Sequence, residues 1–120
     1  TLLIVSGVFQ YFFEDKIIEF IKNLKKEFPY GELIFDTTTK NGLKFTNWFI
    51  KKTGNPEALM HFYIEDSVNF SKKTDTILVE ELIFFKDARE LLRKKLNFIT
   101  KLFMKIADSK RQALIIHLKW

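Results

Sequence analysis

The sequence predicts an α/β domain, and three observations carry that reading. Leu2, Leu3, Ile4 and Val5 form a short run that is apolar on both alternations, which suits a strand covered by helices on both faces of a sheet. Ile17, Ile18, Ile21 and Leu24 then recur at helical spacing, and Leu33, Ile34 and Phe35 make a second buried strand. Strand, helix and strand in succession form a βαβ unit. Its crossover is expected to be right-handed, so the loops after Val5 and Phe35 share the carboxyl edge of the sheet, where open α/β sheets bind ligands.

Each element has its own signals. The first helix opens on Glu14 and Asp15 and closes on Lys22, Lys25 and Lys26, an order that offsets the helix dipole, and Pro29 and Gly31 stop it. Asp36 and the cluster Thr37, Thr38, Thr39 mark a loop after the second strand. Residues 40–54, with Leu43, Phe45, Trp48, Phe49 and Ile50, predict a short amphipathic helix ending at Gly54 and Pro56. Residues 62–70 are read as loop with one short helix. Ile77 to Phe85 is rich in strand formers but holds Glu80 and Glu81, which places it nearer a sheet edge. The longest helix is expected to start at Asp87 or Ala88 and to bury one face through Leu91, Leu92, Leu96, Ile99, Leu102, Phe103 and Ile106. Ala113 to Leu118 is the final strand. Residues 1–120 thus read as one domain, a four-stranded mixed sheet flanked by helices, with no internal repeat or dividing linker.

Composition narrows the class. In 120 residues, 47% hydrophobic content and 14 Phe are enough for a real core. No apolar run approaches the roughly 18 residues that cross a bilayer, and no signal-peptide pattern opens the chain, so a protein without a membrane partner is expected. The absence of cysteine excludes disulfides, thiolate chemistry and sulfur-based zinc sites, and fits a cytoplasmic location. The net charge of +5 is spread along the chain, with Arg93, Lys94 and Lys95 inside a helix, which reads as solvated helix faces more than a nucleic-acid surface. Thr1 leads straight into an apolar strand, as expected of an internal start.

Candidate site residues cluster at the carboxyl edge. Ser6 and Gly7 end the first strand, where a glycine lets a ligand approach the backbone or simply makes a tight turn. Tyr11 is a candidate wall of a substrate pocket, whereas Phe9 belongs to the core. Asp36 would orient a substrate hydroxyl or cap its own loop through the amides of Thr38 or Thr39. Trp48 would stack on an aromatic substrate or staple the sheet. His61 is a candidate general base, with Glu65 and Asp66 nearby, and His117 reads as a solvent-facing strand position. Neither histidine has metal-ligand spacing, so no metal site is expected.

The segments IVSGVFQYF at Ile4 to Phe12, GELIFDTTT at Gly31 to Thr39 and KKTG at Lys51 to Gly54, continued by HFYIEDSVNF and LVEELIFF, resemble the leucine carboxyl methyltransferase family, in particular its tetracenomycin polyketide synthesis O-methyltransferase group. The likeness runs over essentially all 120 residues. It implies the C-terminal half of a Rossmann-like class I methyltransferase fold, covering the fourth to seventh of seven strands, with the last strand antiparallel to its neighbours. It also implies S-adenosylmethionine as cofactor, with Ser6 and Gly7 at the cofactor and Tyr11, Asp36 and Trp48 at a small-molecule, polyketide-like methyl acceptor. The family has an acidic residue where this chain has Ser6, so no acid-base role carries over to that position, and no catalytic residue is assigned. With glycines only at 7, 31, 42 and 54, no GxGxxG-like cradle can be drawn. The first three strands and the cofactor loop would lie outside this chain, and the isolated 120 residues are expected to be inactive. An acceptor hydroxyl and an acceptor carboxyl fit equally well. The other functional class open to the sequence is a basic α/β binding module for nucleic acid or a protein partner. A first strand left at a sheet edge also favours a homodimer through that edge.

Overall fold

In the computed structural model, residues 1–83, 91–92, 94–95, 97–109 and 113–120 are described, with residues 103 and 106–109 described for backbone only. The elements are β1 (Leu2–Val5), α1 (Glu14–Glu27), β2 (Glu32–Thr37), α2 (Lys40–Lys52), α3 (Ser67–Thr74), β3 (Ile77–Ile83), α4 (Phe98–Ser109) and β4 (Leu114–Lys119), with 3-10 turns at Phe9–Tyr11 and Pro56–Ala58. The four strands form one sheet in the order β1-β2-β4-β3. β1 and β2 are parallel and adjacent, and β4 runs antiparallel to both β2 and β3. The expected α/β class and mixed sheet are both present.

Strand alternation sorts the sheet into two unlike faces. Leu33 and Phe35 of β2 meet Leu118 and Ile116 of β4 on the inner face. All four are buried, together with Leu114, and against them pack Ile17 and Ile21 of α1, Phe70 of α3, and Phe9, Phe62 and Ile64. Phe9, Phe35, Phe62 and Phe70 contact one another with ring centroids 5.1 to 6.4 Å apart at tilted or edge angles, the arrangement aromatic quadrupoles prefer. Phe9 is a core residue, as expected. The outer face is less covered: Ile34, Asp36, Ile115 and His117 are half-buried, while Leu2, Ile4 and Leu82 are exposed. This corrects the expectation that β1 is covered on both faces. Leu3 and Val5 pack on the core, but Ile4 is 69% exposed, because β1 is an edge strand whose outer face carries no helix among the described residues.

The helices follow their end signals closely. α1 has Glu14 and Asp15 in its first turn and Lys25 and Lys26 in its last. Lys25 also reaches α3, donating to the backbone oxygen of Asp75 and to its carboxylate at 2.8 Å. That ammonium holds the Asp75 carboxyl below the ordinary aspartate range. Asp75 ends α3 in the left-handed region, at φ 53°. Thr38 and Thr39 form the short loop expected after β2, Thr39 also capping α2 with its Oγ1 accepting from Gly42 N at 3.4 Å, whereas Thr37 is the last residue of β2. Gly54 follows α2 at φ 78°.

The long C-terminal helix differs from expectation. Its start at Asp87 or Ala88, with Arg93 and Leu96, lies outside the described residues. Lys94 and Lys95 occupy a turn, with Lys95 N donating to Leu92 O at 2.8 Å, so they are not inside a helix. α4 begins afresh at Phe98, its first turn capped by Asn97 Oδ1 on Thr100 N at 2.7 Å. An asparagine side chain that accepts from the first-turn amides in this way favours a helix start at Phe98. Leu91, Leu92, Ile99 and Leu102 are exposed, so the described part of this stripe does not bury a face.

One lock holds the amino end of β2. Trp120 exchanges backbone hydrogen bonds with Gly31, at 3.0 and 3.2 Å, and its indole Nε1 donates to Phe28 O at 2.7 Å. The ring lies so close that a Cβ on Gly31 would stand 2.4 Å from its Cζ2. Gly31→Ala is therefore expected to cost about 1–3 kcal/mol by overpacking and to shift the fluorescence of Trp120, read in a Trp48→Phe background. Gly54→Ala meets no atom within 4 Å and is expected to cost about 1 kcal/mol, from its left-handed backbone alone, with Trp120 unchanged. Denaturant unfolding of both variants checks the contrast.

Candidate functional site

The carboxyl ends of β1 and β2 meet as the parallel pairing requires, with Val5 opposite Phe35. Past Val5 the chain turns at Gly7, whose φ of 69° is open to glycine at little cost. Gly7 N donates to Asp36 Oδ1 at 2.7 Å, a charge-assisted bond that ties the end of β1 to the end of β2. Asp36 thus gives one carboxylate oxygen to the neighbouring strand's loop, a partner that sequence alone did not suggest. Among the described residues beyond its chain neighbours, Gln10 Nε2, at 3.9 Å, is the one atom within 4 Å of where a Cβ on Gly7 would be, so the backbone there is open to close approach.

Beside this junction lies a cavity of about 650 Å³. Ile4, Ser6, Phe9, Phe12, Lys16 and Phe20 are among the residues that line it. The wall is overwhelmingly apolar. Ser6 supplies a hydroxyl, and Lys16, the one charged side chain, is paired with Glu19 at 3.2 Å. Of the sequence-derived candidates, the structure brings together Ser6, Gly7 and Asp36. Tyr11 and Trp48 are about half exposed, and neither lines this cavity. Trp48 does not staple the sheet: it stacks on Phe45 of its own helix, at 6.2 Å between centroids, with Lys52 Nζ 4.2 Å above its ring.

Two histidine environments complete the survey. His61 stacks on Phe13 at 4.3 Å and borders a smaller cavity with Glu65 and Asp66. Those acids serve as helix caps, Glu65 Oε1 on Lys40 N at 2.5 Å and Asp66 Oδ1 on Asn69 N at 3.0 Å. His117 is not solvent-facing as expected, for its side chain is 17% exposed. Its Nε2 lies 2.6 Å from Glu32 Oε2 on β2, and its Nδ1 lies 3.9 Å from Glu80 Oε1 on β3. Sequence spacing hid this cluster because its carboxylates are brought in by register. Glu32 lies two residues before Ile34, the pairing partner of His117 on β2, and so on the same outer face, to which a bulge between Leu78 and Glu80 also turns Glu80. Among the described residues, no group of three His, Cys, Asp or Glu side chains is arranged to hold a metal ion.

The chemical capacity of the carboxyl edge is therefore positional: an exposed backbone turn, one hydroxyl and an apolar wall, held by Asp36. Asp36→Ala is expected to free the Gly7 turn, lowering stability by about 1 kcal/mol for this partly solvated bond and speeding exchange of the Gly7 amide, with the core amides of β2 unchanged. Hydrogen exchange resolved by residue reads both effects.

Neither a scan against protein-family models nor a search of curated proteins finds a match to the chain.

Proposed function

We propose that the chain is the C-terminal part of a class I S-adenosylmethionine-dependent O-methyltransferase domain, acting in the intact protein on a hydroxyl or carboxyl oxygen of a small, polyketide-like molecule. One observation carries the reading: the last strand lies between β2 and β3 and runs antiparallel to both, beside a parallel β1-β2 pair. That order and those directions are what the resemblance of the three motifs implies for strands four to seven. The placement of Ser6 and Gly7 at the carboxyl edge, with Ser6 lining an apolar cavity, also supports it.

The residues present fit one wall of the cofactor. Ser6 and the open Gly7 backbone would hold its polar part and the apolar lining its flat ring, while no glycine-rich cradle is present in the sequence. When bound, S-adenosylmethionine supplies an electrophilic methyl group on a sulfonium. Transfer to an acceptor oxygen would depend on that oxygen being held in line with the methyl group. A hydroxyl acceptor must also lose its proton to a base, whereas a carboxylate arrives ionised and needs none. The contribution of this chain is positioning, through the Asp36-held turn, which is where much of the barrier lowering in such a transfer is found.

Calorimetric titration of the 120 residues with S-adenosylmethionine is expected to show weak binding or none, and the protein extended by the sequence that precedes Thr1 in its gene to bind it and to methylate small phenols or carboxylic acids. Low-micromolar binding by the 120 residues alone, or neither activity in the extended protein, overturns the reading.

The same proposal accounts for β1, whose outer edge would pair with a further strand of the full domain. In the 120-residue chain that edge carries no charged side chain from Thr1 to Ser6, unlike the bulged, glutamate-bearing β3 edge, and pairing with a second copy is its expected alternative. Sedimentation is expected to show self-association that rises with concentration and is abolished by Ile4→Lys. A strict monomer at high concentration counts against it.

A further inference from the structure

The cavity at the end of β1 belongs to the site already described, and the His117 cluster is consumed by its own carboxylates. The outward surface of α2 belongs to neither. Its 13 residues, KNGLKFTNWFIKK, contain Lys40, Lys44, Lys51 and Lys52 and no acidic residue. Three of its largest side chains, Phe45, Trp48 and Phe49, are each more than half exposed.

The orientation is fixed from the inner side. Asn47 makes a two-way amide clamp to Met60, donating from Nδ2 to its oxygen at 2.9 Å and accepting from its nitrogen at 2.8 Å. At 100° per residue, Asn47 shares one side of the helix with the buried or half-buried Gly42, Leu43, Thr46 and Ile50, and Trp48, Lys52 and Phe45 fall on the opposite side. Lys44, Lys51 and Lys40 flank Trp48 on one side, and Phe49 follows Phe45 on the other. An aromatic ridge bordered by a lysine row is thus displayed outward.

We infer that this face of α2 docks the protein on the surface of an anionic lipid bilayer. The aromatic rings would enter the headgroup boundary and the lysines would meet the lipid phosphates and carboxylates, as interfacial helices of this composition do. Charge complementarity argues for an anionic partner, because the helix carries four lysines against no acid. The geometry then chooses among anionic partners. A nucleic-acid strand needs free ring faces to stack on. Trp48 has Phe45 stacked on it and the Lys52 ammonium over it, so its faces are in use while its edge stays exposed. An acidic peptide helix needs a groove, and the described cavities are lined by other elements, so α2 offers a ridge. A deformable lipid surface accepts a ridge. Docking of this kind is peripheral, since no helix among the described residues is long and apolar enough to cross a membrane.

The inference does not rest on the methyltransferase reading, and it is tested on the 120-residue chain. Sedimentation with vesicles of phosphatidylcholine alone, and of phosphatidylcholine with an equal part of phosphatidylserine, is expected to bring the chain down only with the second, reversibly in high salt. Phe45→Ala with Phe49→Ala, and separately Lys44→Gln with Lys51→Gln, are expected each to weaken binding by about tenfold or more. All four positions are exposed, and a thermal melt confirms that each variant is folded. Quenching of Trp48 by lipid-borne bromine, in a Trp120→Phe background, reads insertion directly. The inference is overturned by equal binding to both vesicles, by no binding to either, by variants that bind like the parent, or by an oligonucleotide that binds more tightly than the anionic vesicles.

Discussion

The sheet depends on the insertion of its last strand. β2 and β3 do not touch through hydrogen bonds; β4 pairs with β2 on one side and β3 on the other, and its inner residues Leu114, Ile116 and Leu118 have no exposed surface at all. Until residues 114–119 arrive, β3 has no ladder partner and the floor under α1 and α3 is half built. The decisive contacts join positions far apart in sequence, Glu32 with Lys119 and Thr37 with Leu114. Closing such loops costs chain entropy before any burial returns it, which slows folding relative to a sheet of local pairings.

The two edges of the sheet are managed differently. β3 has an extra residue at Val79, and the bulge decides which way its glutamates point. Without it the alternation after Leu78 would turn Glu80 inward, beside Ile116 and Phe35. With it Glu80 faces His117 on the outer face, and Glu81, on the inner face, accepts from the Ser67 hydroxyl at the start of α3. Both acids are thereby given polar partners. β1 has no comparable device, and its Ile4 and Leu2 stand open.

The fold was legible in the sequence wherever a local pattern and a terminator agreed. α1 has both an apolar stripe and oppositely charged ends, and Pro29 and Gly31 follow it; β1, β2 and β4 are apolar runs of strand length. Glu80 and Glu81 correctly marked β3 as an edge. The apolar stripe from Leu91 onward misled because spacing says which residues share a helical side, not that Asn97 caps a helix starting at Phe98 or whether anything covers that side. Ser6, Gly7 and Asp36 were legible as neighbours because strand ends of a βαβ unit must meet, although the bond between them was not. The His117 cluster was illegible, since register and a bulge exist only after pairing.

Direction separates stability from binding in this sheet. Because β4 runs against β2, its end returns to the amino side of β2, where Trp120 closes on Gly31 and Phe28, while its beginning lies beside Thr37. The lock therefore sits at one end of the strands, and the Gly7 turn, Asp36 and the apolar cavity sit at the other. Groups at the carboxyl edge carry little of the core: Ser6 and Gly7 are exposed and Asp36 is half-buried. Substitutions there change what the edge can hold without loosening the aromatic cluster beneath, and changes at Gly31 or Trp120 loosen the sheet without altering the chemistry of the edge. α2 extends the same division. It leaves the carboxyl edge directly after Thr39, is fastened by the Asn47 clamp, and presents lysines and aromatic rings that the core does not use. A surface free of structural duty is where charge and apolar area can be spent on a partner, and on this chain that surface follows immediately on the strand that carries Asp36.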